Sequence, residues 1–393
     1  MNYVTAGESH GPALTVIVSE VPAGIELNSA RIDADLARRQ SGYGRGGRMA
    51  IEQDKARILS GLRFGRTLGS PVALLIENRD WPNWQTVMAQ EGKPPADLPR
   101  ERSPRPGHAD LVGTMKIGTD DCRNVLERSS ARETAGRVAA GAVAKAWLAH
   151  FGVEIGSYVT RIGSVELPAT EIQRKAGVFS ASKIEASPVR CPHPETSEAM
   201  CAAIDAAREA GESLGGWFSV TATGLVAGLG GYASGSDRLD GRIGGALLSI
   251  PAIKGVQFGL GFTAGTLPGS QVHDPIICLG DTGSGSDRGR ISRASNNAGG
   301  LEGGMTTGLP LLISAVMKPI PTLATPLDSI DLATRWPVKA SRERSDICAV
   351  PAAAVVAEAE LALVLATCYQ QKFGHDTVKD SLLAFEAYAS RIA

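Results

Sequence analysis

The chain has 393 residues, 43% hydrophobic and 21% charged, a composition that supports a large buried core and excludes a disordered or fibrous protein. Its 40 Lys and Arg against 41 Asp and Glu leave a formal net charge of -1, which excludes a global attraction to nucleic acid or an anionic membrane, so any anion preference is local. Length alone leaves one large domain or two intimate ones open.

In chain order, Met1 runs straight into Gly7-Glu8-Ser9-His10-Gly11 without a basic segment followed by an apolar one, so the start does not read as a secretory signal. A cytoplasmic protein is the expectation, and no apolar stretch reads as long enough to span a bilayer. His10 sits among small residues in a loop, within reach of a ligand or merely in a surface turn. Short apolar runs bounded by Gly or Pro predict strands at Ala13 to Val18, Val72 to Ile76, Trp217 to Thr223 and Leu311 to Met317. Helices are predicted from Ser29 to Gln40 behind an Asn28 cap, from Ala131 to about His150, from Ser197 to Ala210, and from Pro351 to about Gln370. Ser130 and Glu133 form the S-x-x-E pattern of a capping box.

The helix ending at Gln40 runs into Ser41-Gly42-Tyr43-Gly44-Arg45-Gly46-Gly47-Arg48, and with Arg38 and Arg39 it presents several guanidiniums in one span. The planar guanidinium fork matches phosphate and carboxylate. Nucleic-acid binding is the rival reading, but only Tyr43 is interleaved among the arginines. Glu91 to Pro106 reads as a long loop, either a flap or a plain connector. It leads into Arg105-Pro106-Gly107-His108-Ala109-Asp110, a turn fit for general acid chemistry or for simple side-chain hydrogen bonding.

Arg128-Ser129-Ser130-Ala131-Arg132-Glu133-Thr134 opens the best-supported helix, where free amides and hydroxyls make an anion site. Arginines at a helix start oppose the dipole, which favours a functional reason for them. Ser295 to Gly304 and Lys318-Pro319-Ile320-Pro321-Thr322 read as cofactor loops, the first offering backbone amides and the second a cation and a hydroxyl. Neither matches a nucleotide-binding fingerprint. Arg342-Glu343-Arg344-Ser345-Asp346 places a carboxylate among cations, as a base or as a surface ion-pair cluster. The six cysteines are scattered without a C-x-x-C pair, which points to reduced thiols and away from a zinc knuckle.

In this order, the segments GESHG, RRQSGYGRG, RPGHADL, ERSSARET, SIPAIKGVQFG, SNNAGGLEGG, KPIPT and RSD resemble the chorismate synthases, nearly end to end. The resemblance implies a carbon-oxygen lyase acting on a phosphate. Its reaction is anti-1,4-elimination of phosphate and the C6 hydrogen from 5-enolpyruvylshikimate 3-phosphate, giving chorismate for aromatic amino-acid biosynthesis. Reduced FMN is required without net redox change, with NADPH as the reductant in some members and an external source in others.

It also implies an α+β fold, a β-α-β sandwich with two antiparallel sheets packed within helices, forming a single domain over 1–393 and assembling as a homotetramer. The pattern of runs by itself leaves a parallel α/β sheet open. By motif position, the catalytic residues would be His10, protonating the departing phosphate, His108, maintaining the reduced flavin as a monoanion, and Asp346, assisting proton removal through flavin N5. Substrate would meet Ser9, Arg39, Arg45, Arg105, Ser130, Arg132 and Arg344. FMN would meet Arg39, Arg45, Arg128, Ser129, Ser130, Pro251, Ala252, Gly303, Lys318, Pro319, Ile320, Pro321, Thr322 and Arg344. No metal, nucleic acid or membrane enters this reading. Ser345, Ser129 and Pro251 depart from the residues many relatives carry there. The competing readings are an FMN oxidoreductase acting on a phosphorylated metabolite and a non-enzymatic anion-binding module built on Gly42 to Arg48.

Overall fold

The computed structural model describes residues 1–46, 53–280, 290–343 and 345–392. Alternation of buried and part-exposed residues builds two antiparallel sheets. The first orders its strands Asn2–Ala6, Ala13–Ser19, Val72–Glu77 and Ala56–Ser60. Its register pairs Leu14 with Ile76, Val16 with Leu74 and Val18 with Val72, so all six apolar side chains leave the same face and are buried.

The second orders Ile253–Phe258, Leu311–Met317, Gly216–Thr223, Glu154–Ile162 and Val165–Glu166, again antiparallel throughout. Here Leu311 faces Ala222, Ile313 faces Val220 and Ala315 faces Phe218, forming the second buried face. Every pairing in the two sheets is antiparallel, which removes the parallel alternative.

Helix Thr134–Leu148 packs on the first sheet, helix Val350–Phe373 packs on the second, and the two helices pack on each other. Both are apolar nearly all round because both are buried nearly all round. Their small residues let the backbones approach closely: a Cβ added at Gly141 would lie 2.3 Å from Ala359 Cβ. Val350–Phe373 is, by length and composition, apolar enough to cross a membrane, contrary to the sequence reading. It is instead the core helix, with even Glu358 fully buried. That carboxylate takes both guanidinium nitrogens of Arg38 at 2.8 Å, Lys145 at 2.7 Å and the Ser157 hydroxyl at 2.6 Å.

Strand Leu311–Met317 and helix Ser29–Gln40 have the predicted bounds, the latter with Asn28 accepting from the Arg31 amide. Helix Pro194–Glu209 begins three residues before the predicted Ser197 because His193 caps it, accepting from the Thr196 amide. The predicted helix from Ala131 resolves into a 3-10 turn Ala131–Glu133, the α-helix Thr134–Leu148 and a 3-10 turn Ala149–Phe151. The capping box does not form: Ser130 Oγ accepts from the Arg132 amide, while the Glu133 carboxylate takes Arg137 at 2.9 Å.

Candidate active site

The chain ends of both sheets and of the helices between them meet around one cavity of about 670 Å³. The loop after strand Asn2–Ala6 brings Ser9 and His10, and the end of helix Ser29–Gln40 brings Arg39. The turn before helix Thr134–Leu148 brings Ser130 and Arg132, and the end of strand Leu311–Met317 brings Lys318, Ile320, Pro321 and Thr322. Arg45, Arg105, His108, Arg128, Ser129, Pro251, Ala252 and Asp346 complete the predicted residues that line it. Gly303 and Pro319 do not line it, and Arg344, like Gly47 and Arg48, lies outside the described residues.

Two guanidiniums share one buried carboxylate. Arg39 Nη1 stands 3.3 Å from Asp54 Oδ2, and Arg132 Nη1 donates to Asp54 Oδ1. Arg132 Nε also donates to Asn78 Oδ1 at 2.9 Å, and Asn78 Nδ2 donates to the Gly11 carbonyl at 2.6 Å, tying the cation to the His10 loop. Burial drives the Arg39 pKa down to about 10 against the upward pull of Asp54, and the neighbouring Arg132 and Arg45 charges push it the same way as burial. Arg39 and Arg132 are thus held together at this end of the cavity by the Asp54 carboxylate between them.

His10 Nδ1 lies 2.9 and 3.0 Å from the two oxygens of Glu127, and its backbone amide donates to Glu127 Oε2 at 2.8 Å. A carboxylate only accepts, so Nδ1 carries the proton of this contact. Glu127 sits below the usual carboxylate range: burial pushes it up, and the His10 hydrogen bonds and Arg123 outweigh that. The Trp84 ring stacks on His10 with centroids 3.8 Å apart.

His108 follows the same logic. Its Nδ1 lies 2.5 Å from Asp110 Oδ1 and 3.1 Å from Arg105 Nη2. Guanidinium only donates, so the shorter contact to the carboxylate assigns the proton to Nδ1. Arg105 in turn donates to Asp110 Oδ2 at 2.8 Å and to Thr322 Oγ1 at 3.1 Å. The turn expected from Arg105 to Asp110 is thus both a hydrogen-bonded turn and a presented histidine. Its preceding loop is no loose flap at its end, since Arg102, Ser103 and Pro104 carbonyls accept from Leu332, Ser341 and Ser329.

Asp346 reaches the Gly46 amide at 2.6 Å and Arg45 Nη1 at 3.2 Å. The approach requires glycine, because a Cβ at Gly46 would stand 2.8 Å from the Ser345 carbonyl oxygen. On the opposite wall, Pro251, Ala252, Met317, Ile320 and Pro321 supply apolar surface suited to a flat ring.

Two readings of single motifs change. Arg128 belongs to the last turn of helix Arg123–Ser129, where the dipole favours a cation, so the argument from helix-start arginines does not apply to it. Its guanidinium donates to the Thr5 carbonyl at 2.8 Å and the Gly7 carbonyl at 3.1 Å. The amides of the Ser295 to Gly304 loop do gather an anion, but it is the chain's own Asp274, which accepts from the Asn297 and Ala298 amides at 2.7 and 2.9 Å. Sequence reasoning missed Asp54, Trp84 and Glu127, since each acts across a long sequence gap or inside an ordinary-looking segment.

The chorismate synthase family model matches residues 1–369. A chorismate synthase of Symbiobacterium thermophilum is 52% identical over 398 residues, covering 100% of each chain. One of Geobacter sulfurreducens is 50% identical over 390 residues, covering 99% of this chain and 98% of the relative. A crystal structure of chorismate synthase aligns with 100% of this chain and 98% of its own at a TM-score of 0.77 and 40% identity. With matches of that extent in sequence and in fold, this chain belongs to the chorismate synthase family.

Proposed function

We infer that this chain forms chorismate by anti-1,4-elimination of phosphate and the C6 hydrogen from 5-enolpyruvylshikimate 3-phosphate, a step of aromatic amino-acid biosynthesis. The observation that carries the reading is one cavity lined by His10, His108, Asp346 and a cluster of arginines, beside an apolar wall. A substrate with a phosphate and two carboxylates calls for that many guanidiniums.

The donor set fits reduced FMN as well as substrate: Arg128, Ser129, Ser130 and Lys318 offer cations and hydroxyls, and the Pro251, Ala252, Ile320 and Pro321 wall offers a surface for its ring. When bound, reduced FMN supplies electron density that stabilises the electron-poor carbon skeleton as phosphate leaves. Arg39, Arg45, Arg105 and Arg132 orient the anions, and Ser9 and Ser130, 3.1 Å apart, add hydroxyl contacts. As an imidazolium, protonated at both ring nitrogens, His10 gives the Nε2 proton to the departing phosphate and keeps the Nδ1 proton that faces Glu127. His108 exchanges a proton at Nε2 on the cofactor side, and Asp346 assists removal of the C6 proton. Thr322 joins this wall through Arg105. Arg344, Gly303 and Pro319 are assigned to cofactor or substrate by motif position alone.

A single domain over 1–393 is supported by the continuous core that runs from Met1 to Phe373. The β-α-β sandwich reading draws support from the packing of Thr134–Leu148 and Val350–Phe373 on opposite sheets. A cytoplasmic homotetramer, with NADPH or an external source reducing the flavin, follows the family.

The test is anaerobic incubation with photoreduced FMN and the enolpyruvyl substrate. Many phosphates released per reduced flavin support the lyase. One reducing equivalent consumed per product turns the reading to an FMN oxidoreductase, and no phosphate from flavin-loaded protein refutes both the elimination and its site.

A further inference from the structure

We propose that Trp84 is a positioning residue for the reaction, holding the His10 imidazole in the plane from which Nε2 reaches the departing group. The proposal rests on the reading of His10 as the proton donor to phosphate.

Glu127 holds His10 at Nδ1 and at the backbone amide, contacts that lie along one edge of the ring. The indole of Trp84 holds its face, with its plane 24° from the imidazole plane and the centroids 3.8 Å apart, and so restrains the ring's tilt. Trp84 lines the cavity itself, so it also covers a flank of His10 that water would otherwise occupy.

Trp84 is in turn held on three sides. Its Nε1 donates to Asp80 Oδ2 at 3.1 Å, its amide donates to the Trp81 carbonyl at 2.8 Å, and the Arg123 guanidinium carbon lies 5.2 Å from its ring centroid. Asp80 is buried and also takes Asn83 Nδ2 at 2.8 Å. Arg123 donates to Glu127 Oε1 at 2.8 Å and to Glu343 at 3.0 Å. The same cation therefore touches both the ring that stacks on His10 and the carboxylate that sets its tautomer. His10, Trp84, Glu127 and Arg123 are thus in mutual contact, so that moving one member displaces the others.

A double-mutant cycle separates positioning from packing. In W84L, kcat should fall roughly 10- to 100-fold, the scale of a misplaced proton donor, with KM within about twofold of wild type. W84F retains a flat ring and should recover most of that loss; it also serves if W84L fails to fold, because it should outperform a W84A variant of equal thermal stability. In an H10N background, W84L should add no further loss of kcat. A W84L loss of equal size in both backgrounds would show that Trp84 acts independently of His10 and would overturn the proposal, as would an effect confined to KM. Near-normal turnover in H10N alone would instead remove the role of His10 on which the proposal stands, a distinct failure read without any change at Trp84.

Discussion

Asp54→Asn tests the electrostatics of the site most directly. Asp54, Arg39 and Arg132 are 5%, 4% and 4% exposed, so the exchange leaves two desolvated guanidiniums without their shared counter-charge at nearly constant volume. Removing one partner of a buried ion pair costs about 3–5 kcal/mol. An unfolding entropy of about 2.1 cal/mol/K per residue gives roughly 0.8 kcal/mol/K for 393 residues, so the melting temperature should fall by about 4–6 °C. A mobile anion then becomes more valuable to the variant than to the parent. At one fixed concentration of inorganic phosphate, D54N should gain more in Tm than wild type, because phosphate binding to the folded state alone stabilises it by mass action. Differential scanning calorimetry in phosphate-free buffer, followed by a phosphate titration, measures both quantities. An unchanged Tm, or a phosphate response no larger than that of wild type, would refute the claim that Asp54 holds these two buried arginines and that an anion can take its place.

Asp110 is held well below the usual carboxylate range, with burial opposing and the His108 and Arg105 hydrogen bonds prevailing. A depressed folded pKa contributes stability that is present above the unfolded value of about 3.9 and is lost as pH falls through the folded one. The difference in urea-unfolding free energy between wild type and D110N should therefore be largest near neutrality and shrink below about pH 4. Glu358→Ala leaves Arg38, Lys145 and Arg190 facing an empty buried site, and chemical denaturation should register a loss of roughly 3–5 kcal/mol. Gly141→Ala drives a methyl group to 2.3 Å from Ala359 Cβ, so the two central helices must part, with an expected cost of about 1–3 kcal/mol by the same measurement.

The elements legible in the sequence are those whose local signals agree with their burial. Leu311–Met317 alternates inward and outward along its length, and Ser29–Gln40 carries a capping asparagine and an apolar stripe through Ile32 and Leu36. Asn2–Ala6 gives no such signal, because its half-buried positions carry Tyr3 and Thr5 while the apolar Val4 is exposed, and its place is set by pairing with Ala13–Ser19. Glu154–Ile162 is similarly obscured, since Ser157, Tyr158, Val159 and Thr160 are buried in succession and erase the period of two. The site divides along the same line. Histidines and arginines announce themselves through short motifs, as do Asp110 and Asp346 beside them, whereas the carboxylates Asp54 and Glu127 become visible only after folding. Asp54 meets Arg132 across 78 residues, and Glu127 meets His10 across 117.

Those carboxylates explain how a nearly neutral chain sustains a cationic cavity. Five of the cationic or imidazole side chains that line the cavity have a buried acid behind them: Asp54 behind Arg39 and Arg132, Asp110 behind Arg105 and His108, Glu127 behind His10. Arg45 is likewise drawn to Asp346. A guanidinium on a long stem would otherwise lose about 2 kcal/mol of side-chain entropy when it closed on a ligand. Tethered beforehand, it meets the anion already ordered, and that cost is met during folding. The tethers also limit the charge, because fully compensated cations would attract no anion and uncompensated ones would not stay buried. Arg39 and Arg132, sharing the Asp54 carboxylate, sit between those limits. The same arrangement orients the histidines, whose Nδ1 atoms face Glu127 and Asp110.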